Sequence, residues 1–172
     1  MAESGAKWFE TDRKHPLFSS HPGSEERGEA AMLMGEYNHT LDAKGRIIIP
    51  AKLRDQLGDV FVVSKGLDGC LFAFPSSEWE KLVNKIQALP LTDKNARKFS
   101  RYLLAGASET ELDKQGRALL PQTLREAAGL EKDVVLCGVG NRLEIWAKET
   151  WAKEAHYEDI DELAEMMADL GI

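Results

Sequence analysis

The chain has 172 residues, 43% hydrophobic and 30% charged, which suffices for one compact domain or two small halves around a buried core. Its formal net charge of −7 is unevenly spread: residues 34–154 carry 18 basic and 17 acidic groups, while residues 155–172 carry six acidic groups and no lysine or arginine. The near-neutral middle leaves room for a local basic surface, so the acidic total does not exclude a nucleic-acid partner.

No run approaches the ~18 apolar residues of a membrane span, and no basic region followed by an apolar signal core opens the chain. A cytoplasmic location without membrane association is expected. Residues 1–33 are expected to form a disordered leader, because they lack periodicity and are broken by His15-Pro16, Ser19-Ser20 and His21-Pro22-Gly23-Ser24. Glu25-Glu26-Arg27-Gly28, just ahead of Met32, could be encoded by a purine run of the kind that recruits ribosomes. The leader therefore reads as a start codon set too far upstream. An artificially added extension and a functional N-terminal arm are the alternatives.

An internal repeat organises the remainder. Leu41-Asp42-Ala43-Lys44-Gly45-Arg46-Ile47-Ile48-Ile49-Pro50-Ala51-Lys52-Leu53-Arg54 recurs 71 positions later as Leu112-Asp113-Lys114-Gln115-Gly116-Arg117-Ala118-Leu119-Leu120-Pro121-Gln122-Thr123-Leu124-Arg125. Gly58 and Gly129 close both segments, and after a one-residue slip Gly66, Leu71, Phe74 and Trp79 align with Gly138, Leu143, Trp146 and Trp151. Each unit reads as ββαββ. Residues 37–41 form a strand and lead into Asp-x-x-Gly-Arg, where Asp bonds back to the turn amides and Gly takes positive φ. A second strand, residues 46–49, ends at Pro50, which suits the first position of a short helix stopped by Gly58. Residues 60–63 and 70–74 make a second hairpin, mirrored by 134–137 and 143–146.

Two helices separate the units. Ser77-Glu78-Trp79-Glu80 has the spacing of a capping box, and Trp79, Leu82, Val83 and Ile86 continue a helical stripe that Pro90 ends. The next helix, from Thr92 to about Ala105, is expected to place Lys94, Arg97, Lys98 and Arg101 on one side and Phe99, Leu103 and Ala96 inward. Ile160, Leu163, Met167 and Leu170 predict a final acidic amphipathic helix, its stripe serving as core or as a contact for a partner helix. The expected division is 34–78 and 105–150 for the two units, 79–104 for the linking helices and 151–172 for the acidic helix.

Catalytic and metal sites find no support in the sequence. Cys70 and Cys137 are isolated, with no second Cys or His at zinc-ligand spacing, and His15, His21, His39 and His156 form no H-E-x-x-H pattern. There is no phosphate-cradling glycine loop, no nucleophile elbow and no Cys–His pair, so neither enzyme activity nor a cofactor is expected.

The paired Asp-x-x-Gly-Arg turns carry a resemblance. With Met34-Gly35-Glu36-Tyr37 at the start, Gly106-Ala107-Ser108-Glu109 before the second unit and Trp146 near its end, residues 32–172 resemble the MraZ family, whose two SpoVT-AbrB-like domains each carry D-x-x-x-R. The resemblance implies an α+β fold in which the tandem units form an AbrB-like swapped-hairpin β-barrel. It also implies a ring-shaped homo-oligomer and a nucleoid-associated regulator that binds double-stranded DNA with short direct repeats upstream of its division and cell-wall operon. The residues themselves say something narrower. Lys44 and Arg46 in one turn, and Lys114 and Arg117 in the other, place cations on exposed hairpins. Such hairpins can reach phosphates or enter the major groove, where Arg binds guanine with two bonds. Asp42 and Asp113 repel phosphate, and with Gly45 and Gly116 they are expected to structure the turns, capping amides or gripping the nearby Arg. The opposing reading is that both arginines serve only the fold. An AbrB-type antitoxin, and a structural ring whose acidic residues 158–170 recruit a basic partner, are the competing functions.

Overall fold

The structure, a computed structural model, describes residues 31–172, so the expected leader lies outside the described residues except for its last three positions. The fold is α+β. The first unit runs β1 (Leu33–Thr40), β2 (Arg46–Ile48), α1 (Ala51–Leu57), β3 (Val60–Lys65) and β4 (Leu71–Pro75). Two helices follow, α2 (Ser76–Gln87) and α3 (Lys94–Leu104). The second unit repeats the order as β5 (Ser108–Glu111), β6 (Arg117–Leu119), α4 (Gln122–Ala127), β7 (Asp133–Gly140) and β8 (Leu143–Ala147), and α5 (Lys148–Glu154) and α6 (Ile160–Ala168) end the chain.

Alternation fixes which face each central strand buries. Phe61 and Val63 of β3, Leu71 and Ala73 of β4, Val134 and Leu136 of β7, and Leu143 and Ile145 of β8 all point into the main core. There they meet Ile47 of β2, Ala118 of β6, Leu53 and Leu57 of α1 and Leu124 of α4. The intervening positions Phe72, Phe74, Val135, Cys137 and Trp146 form a second cluster on the opposite face, under Trp79 and Leu82 of α2 and Trp151 of α5. A one-residue slip in any of these strands would exchange the two clusters, so the register is strongly specified.

The pairing of the strands departs from the local hairpins expected at the two Asp-x-x-Gly-Arg turns. β1 does not pair with β2; it runs antiparallel to β7 of the other unit from Leu33↔Gly140 to Thr40↔Asp133. β5 likewise pairs with β3, and β2 with β6. The result is a six-stranded antiparallel sheet in the order β1-β7-β8-β4-β3-β5 and a separate ribbon β2-β6. β1 and β5 each have one neighbour, so no closed barrel is present among the described residues. The turn explains the departure: the Asp42 carboxylate accepts the amides of Lys44 and Arg46, bonds that a hairpin ladder would otherwise supply. The flanking strands are then free to diverge, and eight residues of β1 find a full ladder on β7. The second hairpins, β3-β4 and β7-β8, are local as expected.

The pairings relate the units by a pseudo-twofold axis. In the ribbon the repeat-equivalent residues Ile47 and Ala118 face each other, and at the junction of β4 and β8 so do Phe72 and Glu144. Because equivalent positions meet on the axis, the Asp, Gly and Arg that the first turn presents the second presents again.

Three local expectations change. Pro50 sits one position before its helix rather than at its first position, with φ −54° and ψ 142°, and Pro121 repeats this. Ser77 does not cap α2: the helix starts after Pro75, Ser76 Oγ donates to Val60 O at 3.2 Å, and Glu78 is buried and paired with Lys81 Nζ at 2.7 Å. The box spacing therefore falls inside the first turn. Phe99 of α3 is 40% exposed rather than inward, whereas Leu103 is buried.

Candidate nucleic-acid interface

Each Asp-x-x-Gly-Arg turn is a closed unit. In the first, Asp42 Oδ1 accepts the backbone N–H of Lys44 and of Arg46, both at 2.9 Å, and Oδ2 accepts Arg46 Nε at 2.6 Å. Gly45 N donates to Asp42 O at 3.0 Å with φ +79°, a conformation that disfavours a side chain. The second turn repeats the pattern: Asp113 Oδ1 accepts Gln115 N and Arg117 N at 2.9 Å, and Oδ2 accepts Arg117 Nε at 2.7 Å, with Gly116 at φ +74°. The amide of Arg46, ahead of its guanidinium, holds the Asp42 carboxyl below its ordinary range, and Arg117 does the same to Asp113.

Both predicted roles of the aspartates, amide capping and gripping Arg, are thus present together. A guanidinium carries five N–H donors, and the ion pair occupies only Nε. The terminal nitrogens of Arg46 and Arg117 have no hydrogen-bond partner among the described residues, and both side chains stay about a quarter exposed. Lys44 and Lys114 are exposed. Fixing Nε orients the rest of the fork without neutralising its hydrogen-bonding capacity.

The sequence placed these cations on two separate hairpins, whereas the fold brings them to one ribbon. Arg46 pairs with Leu119 and Arg117 with Ile48, around the buried central pair Ile47 and Ala118. Arg46, Ile48, Arg117 and Leu119 therefore share the outward face, with Ile48 and Leu119 half exposed. The turns are also locked to each other: Ile49 N donates to Gly116 O and Leu120 N to Gly45 O, both at 3.0 Å.

Two further cations belong to this region and were not singled out in the sequence. Arg125 of α4 lies against Gly45 of the opposite unit, and Arg54 of α1 lies against Gly116. Arg125 Nε donates to Leu120 O at 3.0 Å, while Arg54 Nε is buried without a partner. The signal was available, since Leu53-Arg54 and Leu124-Arg125 recur at the same 71-residue spacing. What the linear pattern cannot report is that each arginine serves the other unit's turn.

Among the described residues no three His, Cys, Asp or Glu side chains gather in a way that could hold a metal ion, and no helix is long and apolar enough to cross a membrane. Burial pushes the thiols of Cys70 and Cys137 up to about 12.

Fold and site together define a tandem-repeat α+β protein whose two Asp-clamped arginine turns are joined on one ribbon. The family model described as "MraZ protein, putative antitoxin-like" matches it twice, over residues 32–102 and 103–169, and the chain belongs to the MraZ family. It is 58% identical over 143 residues to the transcriptional regulator MraZ of Clostridium beijerinckii, which covers 82% of this chain and all of that protein. The transcriptional regulator MraZ of Thermoanaerobacter sp. strain X514 is 54% identical with the same coverage, and that of Carboxydothermus hydrogenoformans is 55% identical over 80% of this chain and 98% of its own length.

Proposed function

We propose that this protein is a transcriptional regulator that binds double-stranded DNA through its two clamped turns, with Lys44, Arg46, Lys114 and Arg117 as the contacting side chains. The observation that carries the reading is the duplicated clamp. Each aspartate fixes one guanidinium nitrogen and leaves the others without a hydrogen-bond partner among the described residues, and the two forks share one face of a two-stranded ribbon, an element that the major groove admits. The cross-unit exchange of β1, β5 and the ribbon strands is, in this reading, the swapped-hairpin arrangement of paired AbrB-like units, with the intervening helices as linkers. The family relationship supports a role in transcription, since the relatives at 54–58% identity are named transcriptional regulators.

A single chain offers only a few cations to DNA, so useful affinity requires several copies. The protein is a homo-oligomeric ring whose turns engage successive short direct repeats upstream of its division and cell-wall operon, in the nucleoid. Tethering raises avidity by up to roughly 10²–10⁴ when several sites are engaged. Filter binding of duplexes with one and with several repeats, at a series of salt concentrations, tests this. Each phosphate neutralised contributes about −0.9 to the slope of log affinity against log salt, so the multi-repeat duplex must show the steeper slope. Equal slopes and equal affinities for the two duplexes refute the multivalent reading.

A further inference from the structure

The ribbon β2-β6 shows one face to the outside, and half of that face is apolar. Its inner positions Ile47 and Ala118 are fully buried, so whatever meets the ribbon from solvent meets Arg46, Ile48, Arg117 and Leu119. Ile48 is 50% exposed and Leu119 56%, and neither belongs to either core cluster. Single apolar residues are ordinary on a protein surface. These two, however, occupy equivalent places in the repeat, 71 positions apart, and each lies directly opposite the other strand's clamped arginine. Strand propensity does not account for the pair, since leucine is not β-branched.

A face that served only to grip phosphates would gain from further cations at these two places. Apolar side chains set beside two guanidinium forks suit a surface that is itself partly apolar and partly rich in acceptors. The major-groove edges of the bases are such a surface: guanine offers N7 and O6 to an arginine, and thymine alone offers an apolar group, its C5-methyl. Alternate residues of a strand lie ~6.7 Å apart and stacked base pairs ~3.4 Å apart, so each apolar side chain falls within about two base pairs of the arginine on its own strand.

We propose that Ile48 and Leu119 are specificity-determining contacts that read thymine C5-methyl groups close to guanines bound by Arg46 and Arg117. The inference rests on the DNA-binding reading of the clamped turns and adds the chemistry that the ribbon selects. Each turn supplies one hydrogen-bonding fork and one apolar contact from the same strand, and the second unit supplies the same pair again. One buried methyl group is worth ~0.8 kcal/mol, which is about a fourfold difference in affinity.

Filter binding of the full chain to one duplex made in two forms tests it. The duplex is the sequence that the wild-type protein retains best from a random pool, synthesised once with thymine and once with deoxyuridine, which lacks only the C5-methyl. The wild type is expected to bind the deoxyuridine form at least about fourfold more weakly. The chain carrying Ile48→Ala and Leu119→Ala is expected to keep its melting temperature and its sedimentation, because both side chains are already half exposed. It is expected to bind the two forms equally, and both as weakly as the wild type binds deoxyuridine. Equal binding of the two forms by the wild type overturns the inference while leaving the DNA-binding reading intact, and so do retained sequences with no recurrent thymine. A variant that still prefers the thymine form also overturns it, because the methyl then acts through the shape of the duplex. A variant that sediments differently from the wild type gives this face to a second copy of the chain, and overturns it as well. A wild type that retains no duplex removes the DNA-binding reading together with the inference.

Discussion

Arg125 of the second unit lies under Gly45 of the first: a methyl group added at Gly45 would fall 2.5 Å from the guanidinium carbon, and Arg54 stands in the same relation to Gly116. Two effects of Gly45→Ala can therefore be separated. The φ of +79° strains any L side chain by roughly 1–2 kcal/mol, and the added methyl displaces Arg125 from the turn. Gly140 has φ +90° with nothing within 4 Å, so Gly140→Ala carries the strain alone. In urea titrations Gly140→Ala is expected to lose about 1–2 kcal/mol, and Gly45→Ala more than that. Only Gly45→Ala is expected also to weaken DNA retention, because only there does a cation move.

Arg46→Ala is expected to weaken binding to a multi-repeat duplex by at least about tenfold, since one lost fork recurs in every copy of a multivalent assembly. Its oligomer on gel filtration should be unchanged, because the terminal nitrogens of Arg46 hold no hydrogen bond among the described residues. Arg117→Ala should act in the same direction and more weakly. Lys44 directly precedes Gly45 in the first turn, while Gln115 holds that place in the second and Lys114 lies one residue earlier. Wild-type affinity in Arg46→Ala, or collapse to single chains, would favour a purely structural role for the Asp–Arg clamp.

Acid should loosen both turns together. The carboxyls of Asp42 and Asp113 are held below their ordinary value of 3.8, so the stability they contribute is complete above that value and is lost as pH falls through the lower folded-state value. Asp42→Asn with Asp113→Asn removes that linkage. The doubly substituted chain is expected to be less stable at pH 7 and to show a shallower loss of urea midpoint below pH ~4 than the wild type. Parallel acid limbs in the two proteins would show that the clamps do not titrate with folding.

Cys70 and Cys137 should be inert in the native protein. Burial raises both thiols to about 12, so the thiolate is scarce at pH 8 and the sulfurs are shielded. Alkylation at pH 8 is expected to modify neither in buffer and both within minutes in denaturant, read by mass spectrometry. Rapid native labelling of either would show local opening of the cluster beneath α2 and α5.

Much of this protein was legible in the linear pattern because its controlling features are local. Asp, Gly and Arg at fixed spacing describe a turn whose bonds span four residues, and the structure reproduces those bonds twice to within 0.1 Å. The apolar runs 60–63, 70–74, 134–137 and 143–146, each pair separated by turn-forming residues, marked a second hairpin in each unit, and the structure forms both locally. The capping box at Ser77 misled because Pro75 had already set the backbone angles for helix entry, so the hydroxyl that mattered was that of Ser76.

By itself the sequence determined the duplicated unit, the clamped turns and the second hairpin of each unit, since turn and hairpin alike depend on residues a few positions apart. Only the tertiary structure decided which strand lies beside which. Period-two alternation states the face of a strand and not its neighbour, and a carboxylate that satisfies the turn amides removes the need for a local ladder. β1 instead takes an eight-residue ladder on β7 and β5 a four-residue ladder on β3, each in the other unit. That exchange, invisible to spacing, is what brings Arg46 and Arg117 onto one surface and sets Arg54 and Arg125 beneath each other's turns.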